Sequence, residues 1–370
     1  MKRFVAGATV ILSMTVSVLL SAGYTYIRTP HAASDAGETP REQVFRARLL
    51  FAGDVMAHLP QVTAARRADG DYDFDGQFRL VRPIFEAADL VAVNLETTLS
   101  TREPYTGYPC FRSPAALARA LRRAGVDVAV TANNHCCDHG TAGIGATLAA
   151  LDDTGIRHTG TFVDTLRHGG DHPLRIEING IRFALLNYTY GTNGLPVPAG
   201  VTVNRIDTTA IARALRAIDR RQTDCIVALM HWGNEYQRRP DAAQRALAAW
   251  LRRQGVDLVI GSHPHVIQPY EADSTGAVFY SLGNFVSNQR RRYCDGGLLA
   301  EVEVVKRIGN TPARSVTMRY AARAIPVWVS LPGYRILPPQ SIDTLDLPAS
   351  ARFAAERFLN DTRQLLGIAD

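Results

Sequence analysis

Lysine is nearly missing from this chain: Lys2 and Lys306 stand against 39 arginines in 370 residues. The formal charge of +6 is therefore carried by arginine, spread along the chain with aspartate and glutamate between. That pattern reads first as a solvated basic surface, and otherwise as a modest preference for anionic substrates. A nucleic-acid binder would gather the charge into a patch with interleaved aromatics; no such patch is visible, and nucleic acid is not an expected partner.

Paired cysteines are missing too. Cys110, Cys136, Cys137, Cys225 and Cys294 show no CxxC spacing, which gives poor support to a structural zinc site, and their odd number argues against a disulfide framework. Adjacent Cys136 and Cys137 could bond only through a strained small ring. No internal repeat or low-complexity segment is present. Hydrophobic content of 46% and charged content of 21% are those of a globular protein long enough for a full core.

Charge is also absent from Phe4 to Ile27, an apolar stretch that follows Lys2 and Arg3 and stops at Arg28. About twenty such residues can span a hydrocarbon core, and the leading positive charges favour a cytoplasmic start. Residues 1–28 are therefore expected to be a signal peptide or signal anchor. No cysteine follows the run, which excludes a lipoprotein anchor. The Pro- and Ala-containing stretch over 29–44 reads as a linker. The expected location is outside the cytoplasm in the cell envelope, membrane-anchored or periplasmic/extracellular.

From Val44 onward, short apolar runs alternate with segments of helical spacing. The runs are Arg48–Ala52, Leu90–Val93, Val126–Val130, Cys225–Met230 and Leu258–Ile260; the helical segments are Phe78–Ala88, Ala115–Ala124, Ala142–Thr154, Thr208–Arg220 and Ala242–Gln254. This rhythm predicts an α/β domain with a largely parallel sheet. Antiparallel additions are expected at Leu174–Tyr188, where Asn179-Gly180 supplies the turn, and at Leu298–Val305 with Ser315–Tyr320. A main domain over 45–335 and a C-terminal extension over 336–370, with a loop and a closing helix from Ser350 to Leu366, complete the expectation.

Polar side chains cluster where the strands end, the position at which ligands bind in open α/β sheets. The first run leads to Asp54 and His58, the second to Asn94 and Glu96. TANNHCCDHG (Thr131–Gly140) follows the third, His231 and Glu235 the fourth, and His263 and His265 the fifth. Each signal is weak alone, because an Asp at a strand end commonly caps the next helix. Together they suit one or two divalent ions such as zinc, manganese or iron, which would activate water for hydrolysis.

The segments GDVMAH, NLETTLS, GYPCFRSP (Gly107–Pro114), TANNHCCDHG, HWGNEY, GSHPHVIQP and YSLGNF (Tyr280–Phe285) occur in one order over Leu49 to Ala300. In this the chain resembles the poly-gamma-glutamate capsule biosynthesis proteins of the CapA/PgsA type, a branch of the calcineurin-like metallophosphoesterase superfamily. The resemblance implies a four-layer α/β/β/α sandwich with added antiparallel strands. It implies Asp54 and His58 as ligands of one metal, Glu96 at the bridging position, Asn134, His231 and His263 on a second metal, and His265 returning to the first. His135 would be the catalytic imidazole near the leaving group.

Three departures from the superfamily pattern stand out: three residues rather than one separate Asp54 from His58, Glu96 is longer than the usual Asp, and Asn133 and Asp138 have no counterpart. Asn94, Asn133, Asp138, Glu235, Arg112 and Asn284 are expected to orient the ligands or touch substrate. Arg290, Arg291 and Arg292 read as a solvated basic loop or, alternatively, as forks for carboxylate or phosphate.

The resemblance implies a metal-dependent hydrolase acting on a phosphoester or amide of an anionic surface polymer such as poly-gamma-glutamate. The alternative is a non-catalytic anchored subunit of a membrane synthase or export complex. A redox role through Cys136 and Cys137 is disfavoured.

Overall fold

Alternation of apolar runs and helices builds two sheets packed face to face. The computed structural model describes residues 42–164, 172–309 and 315–368; the apolar run Phe4–Ile27 and nearly all of the 29–44 linker lie outside the described residues. Among the described residues, no helix is long and apolar enough to cross a membrane.

The first sheet runs in the order Arg335–Leu337, Val316–Ser330, Gly296–Ile308, Gln43–Val55, Leu90–Leu95, Val128–Val130 and Arg157–Thr159. The last four of these strands are mutually parallel, while the three before them are antiparallel additions. The short strand Asn284–Val286 lies beside the end of Gln43–Val55. The second sheet runs Tyr270–Asp273, Gly276–Phe279, Leu258–Ser262, Cys225–His231, Ile181–Thr189 and Leu174–Ile178, with its four middle strands parallel. The hairpin expected at Asn179-Gly180 forms there, with both residues at positive φ.

Facing side chains define the layers. Leu49, Phe51, Ala92 and Val128 of the first sheet meet Phe183, Leu185, Val227 and Ile260 of the second in one buried cluster. On the far side of the first sheet, Leu50, Val91 and Val93 bury Leu117 and Leu121 of helix Ala116–Ala124. Across the second sheet, Ile226 and Val259 cover Ile211 and Leu251 from helices Thr208–Arg216 and Ala242–Arg253. This is the four-layer α/β/β/α sandwich with antiparallel additions. Each fully buried Leu or Ile contributes roughly 1.5–3 kcal/mol, so the helical faces pin both sheets.

Local chemistry sets the helix ends. Helix Ala116–Ala124 stops at Gly125, whose φ of 108° lets its N–H reach back to Leu121 and Arg122. Helix Ala242–Arg253 starts at a reciprocal Asp241–Gln244 capping box.

Two expectations need correction. The helix expected over Phe78–Ala88 is broken into Asp75–Phe78 and Arg82–Glu86, because Pro83 favours a fresh start in the first turn of the second. The stretch expected as a loop after Pro338 contains helix Pro339–Thr344. Helix Ala349–Leu366 then places Ala355, Phe358 and Leu359 in the inter-sheet core.

Candidate metal centre

The carboxyl ends of both parallel strand sets converge on one point. Gly53 allows this approach: a Cβ there would run into the Gly283 carbonyl. The next residue, Asp54, donates its backbone N–H to that same carbonyl at 3.0 Å. Glu96, just past strand Leu90–Leu95, is fixed by its N–H to the Val55 carbonyl at 2.9 Å. From the second sheet come His231, the last residue of its strand, and the His263–His265 turn directly after Leu258–Ser262.

These side chains form two overlapping groups. In each, one ligand atom per residue lies within 4.8 Å of the others: Asp54, Glu96 and His231 in one, and Glu96, His263 and His265 in the other. Glu96 belongs to both. Its Oε1 stands 3.8 Å from His231 Nε2 and 3.7 Å from His265 Nε2. Buried polar atoms are normally paired, yet Glu96 Oε1 and His263 Nδ1 are buried without a hydrogen-bond partner among the described residues. Lone pairs of that kind, ringed by carboxylate and imidazole, fit one or two divalent cations.

Electrostatics agree with that chemistry. Burial, reinforced by the Asp54 charge, pushes the Glu96 carboxyl well above its ordinary range. Burial also lowers the imidazoles, with His263 brought down to about 3 and His231 far below its usual value; neighbouring histidines add to both shifts. Neutral imidazole is the form that binds metal.

Surrounding groups orient the ligands. Asn94 Nδ2 donates to Asp54 Oδ1 at 2.8 Å and to Glu96 Oε2 at 3.0 Å, holding two carboxylates together. His265 Nδ1 lies between two acceptors, Asp54 Oδ2 at 3.0 Å and Asn284 Oδ1 at 3.1 Å, so its proton sits there and Nε2 faces Glu96. Asn134 Oδ1 and His231 Nε2 face each other at 2.8 Å. His263 and His265 have φ of 100° and 56°, backbone strain of a kind concentrated at functional sites.

His135 lies beside this centre. Its Nδ1 is 2.8 Å from Asp138 Oδ2, and Asn133 Oδ1 accepts its backbone N–H at 3.1 Å. Asn133 Nδ2 also donates to the Leu95 carbonyl at 2.7 Å. A cavity of about 290 Å³ opens at His135, lined also by Tyr108, Cys110, Asp138, Asn193 and Glu235. Cys136 and Cys137 are buried against Ile144 and Leu148.

Other candidate residues are placed differently. His58 stands at the N-cap of helix Leu59–Ala65, with Nδ1 3.2 Å from Gln61 Oε1 and 3.3 Å from the Asn288 N–H, outside both three-residue groups. The extra residues after Asp54 carry it into the helix cap, where burial lowers it to about 4. Arg112 donates to Ser100 Oγ at 3.0 Å. Arg290 is taken up by the carbonyls of Ser287 and Val329, and Arg292 by Asp361.

Sequence reasoning missed Tyr190 and Asn193. The Tyr190 ring lies 4.5 Å from that of His263, and Asn193 Oδ1 accepts from Asn134 Nδ2 at 3.1 Å. Both lie in YGTNG, at the end of strand Ile181–Thr189, so the strand-end rule applied once more would have found them.

Comparison with known proteins gives these residues a family context. The chain is 28% identical over 274 residues to the PGA biosynthesis protein CapA of Bacillus subtilis, covering 68% of this chain and 67% of that protein. It is 27% identical over 304 residues to the capsule biosynthesis protein CapA of Bacillus anthracis, covering 78% and 69%. A crystal structure described as a novel phosphatase from Mycoplasma pneumoniae aligns at 14% identity and a TM-score of 0.44, over 81% of this chain and 98% of that one. The bacterial capsule synthesis protein PGA_cap family model matches residues 48–289, a span that takes in Asp54, Glu96, His135, His231, His263 and His265 together, and the chain belongs to that family.

Proposed function

We propose that this protein is an exported, metal-dependent hydrolase of the cell envelope that cleaves a phosphoester or an amide in an anionic surface polymer such as poly-gamma-glutamate. The observation that carries this reading is Glu96, shared by two ligand groups with Oε1 buried and unpartnered, beside an unpartnered His263 Nδ1. One or two divalent ions held by Asp54, Glu96, Asn134, His231, His263 and His265 would polarise the scissile group and activate water. Family membership supports the polymer, and the apolar run Phe4–Ile27 supports export.

The protein's own side chains supply the remainder. Asn94 holds Asp54 and Glu96 at a fixed separation, and Asp54 with Asn284 keeps the His265 proton on Nδ1. Asp138 holds the His135 proton on Nδ1, which leaves Nε2 facing the Asn193 amide N–H and the cavity as an acceptor, the atom that would take up a proton and pass it to the leaving oxygen or nitrogen. Phe111, edge-on to His135 at 4.7 Å, packs the ring in place against the cavity wall.

The test uses the full chain purified in detergent: metal content by mass spectrometry, then hydrolysis of bis(p-nitrophenyl) phosphate and of a γ-linked glutamate oligomer with and without added zinc, manganese or iron. Metal-dependent turnover on either substrate is expected. Neither bound nor activating metal would overturn the hydrolase reading and favour the anchored accessory subunit of a polymer synthase. Envelope fractionation checks location.

A further inference from the structure

Three consecutive arginines, Arg290 to Arg292, differ in what holds them. Arg290 donates to the Ser287 carbonyl at 2.8 Å and the Val329 carbonyl at 2.9 Å. Arg292 pairs with Asp361 at 3.0 Å and lies over the Tyr293 ring. The side chain of Arg291, exposed between them, has no hydrogen bond or carboxylate partner among the described residues; its guanidinium lies 4.5 Å from the centroid of Tyr236. Stacking on an aromatic face uses the guanidinium plane and leaves its in-plane N–H fork free.

The ring beneath Arg291 is part of the metal centre's wall. Tyr236 sits at φ 68° with its N–H donated to the carbonyl of Pro264, the residue between His263 and His265, at 2.8 Å. Its ring centroid is 6.3 Å from that of His265. On the chain that carries Arg291, Tyr293 at φ 75° is clasped between Arg238 and Arg292. The Arg291 fork, the free one of the three among the described residues, is thus held on a rigid frame next to the His265 side of the metal centre. Its surroundings are polarised, because Glu235, beside the Tyr236 hydroxyl, faces the His135 cavity on the other side.

We propose that Arg291, laid on Tyr236, is the receptor for a non-reacting oxyanion of the substrate, a carboxylate or a phosphate, and that it directs the anionic end to the His265 side while the leaving group enters beside His135. The orientation rests on the hydrolase reading above; the anion receptor does not.

The test is calorimetric binding of the full chain in detergent to a γ-linked glutamate oligomer and to a polyphosphate of equal charge. Arg291→Gln, Arg291→Lys and the control Arg79→Gln, on the outer helical layer, are compared, with metal content and thermal midpoint recorded for each. Loss of one charge-assisted contact weakens binding about tenfold, and Arg291→Gln should lose that much on the preferred oligomer. Lys should recover part of it, keeping the charge without the fork, and Arg79→Gln should match wild type. The oligomer that loses more identifies carboxylate or phosphate. A wild-type chain that binds neither oligomer, or an Arg291→Gln chain that binds both as tightly, overturns the proposal. Absent metal or turnover with the Arg291 effect intact would overturn only the hydrolase reading.

Discussion

The Nδ1 of His135 and the Oδ2 of Asp138 lie 2.8 Å apart, both side chains buried, and the same carboxylate oxygen accepts the Phe111 N–H at 2.6 Å. The carboxylate therefore fixes both the tautomer of His135 and the loop that walls its cavity. His135→Ala should lower turnover about 10²–10⁴-fold while keeping bound metal. Asp138→Asn, which puts an N–H or the wrong tautomer against the ring, should cost roughly 10–100-fold. Steady-state rates with metal content for each variant check this; full activity in His135→Ala would remove it from the reaction.

Glu96 links function to stability with a definite sign. Its folded-state carboxyl titrates above the ordinary value, because burial and then Asp54 oppose its charge. The favourable contribution is present below the unfolded value and lost as pH rises through the folded one. In chelated protein, Glu96→Gln should raise the thermal midpoint at neutral pH, with the gain shrinking as pH falls toward about 4.5. Metal should raise the midpoint of wild type alone. A lowered midpoint in chelated Glu96→Gln would contradict this account of the buried charge.

The buried histidines act in the opposite direction. His263 is lowered to about 3 and His58 to about 4, burial being the largest cause in both. Their unfolded counterparts take up protons below about pH 6.5, so the stability they contribute above that pH is lost as pH falls toward the folded values. Urea midpoints of chelated protein in a Glu96→Gln background, which removes the opposing term, should fall between pH 6.5 and 4.5. His58→Gln should flatten that slope. A midpoint constant over the window would show that these imidazoles are already charged in the fold.

The fold was legible where periodicity speaks for itself. Val128–Val130 and Cys225–His231 are apolar runs of strand length, and Asn179-Gly180 marks its hairpin by the positive φ it needs. Pro83 was visible too, but its power to split a helix depends on the turn over Arg79–Val81 that precedes it. In the site, Asp54, Glu96, His231, His263 and His265 were readable because chemistry collects at strand ends. The fate of His58 was not, since only the fold shows the chain turning into a helix cap there. Nor could sequence separate Arg291 from its neighbours, because Asp361 and the Val329 carbonyl reach Arg292 and Arg290 from distant parts of the chain.

Tyr190 tests a contact that no single motif announces. Its ring covers His263 at 4.5 Å and stacks on His231 at 6.2 Å, closing one side of the ligand cluster. Tyr190→Ala should weaken metal retention about 10–100-fold by freeing both imidazoles, whereas Tyr190→Phe should keep it. Competition against a chromogenic chelator measures both; equal losses in the two variants would assign the effect to the hydroxyl instead of the ring.

Metal binding by the carboxylate and imidazole cluster around Glu96, and its use in hydrolysis, can be tested together. The most direct measurement is metal content and bis(p-nitrophenyl) phosphate turnover on the same preparations of wild type and His263→Ala. Expected are one or two divalent ions per wild-type chain with metal-dependent turnover, and loss of both in His263→Ala. A wild-type chain that neither carries nor responds to any divalent metal, or a His263→Ala chain that retains full metal and activity, would contradict that expectation.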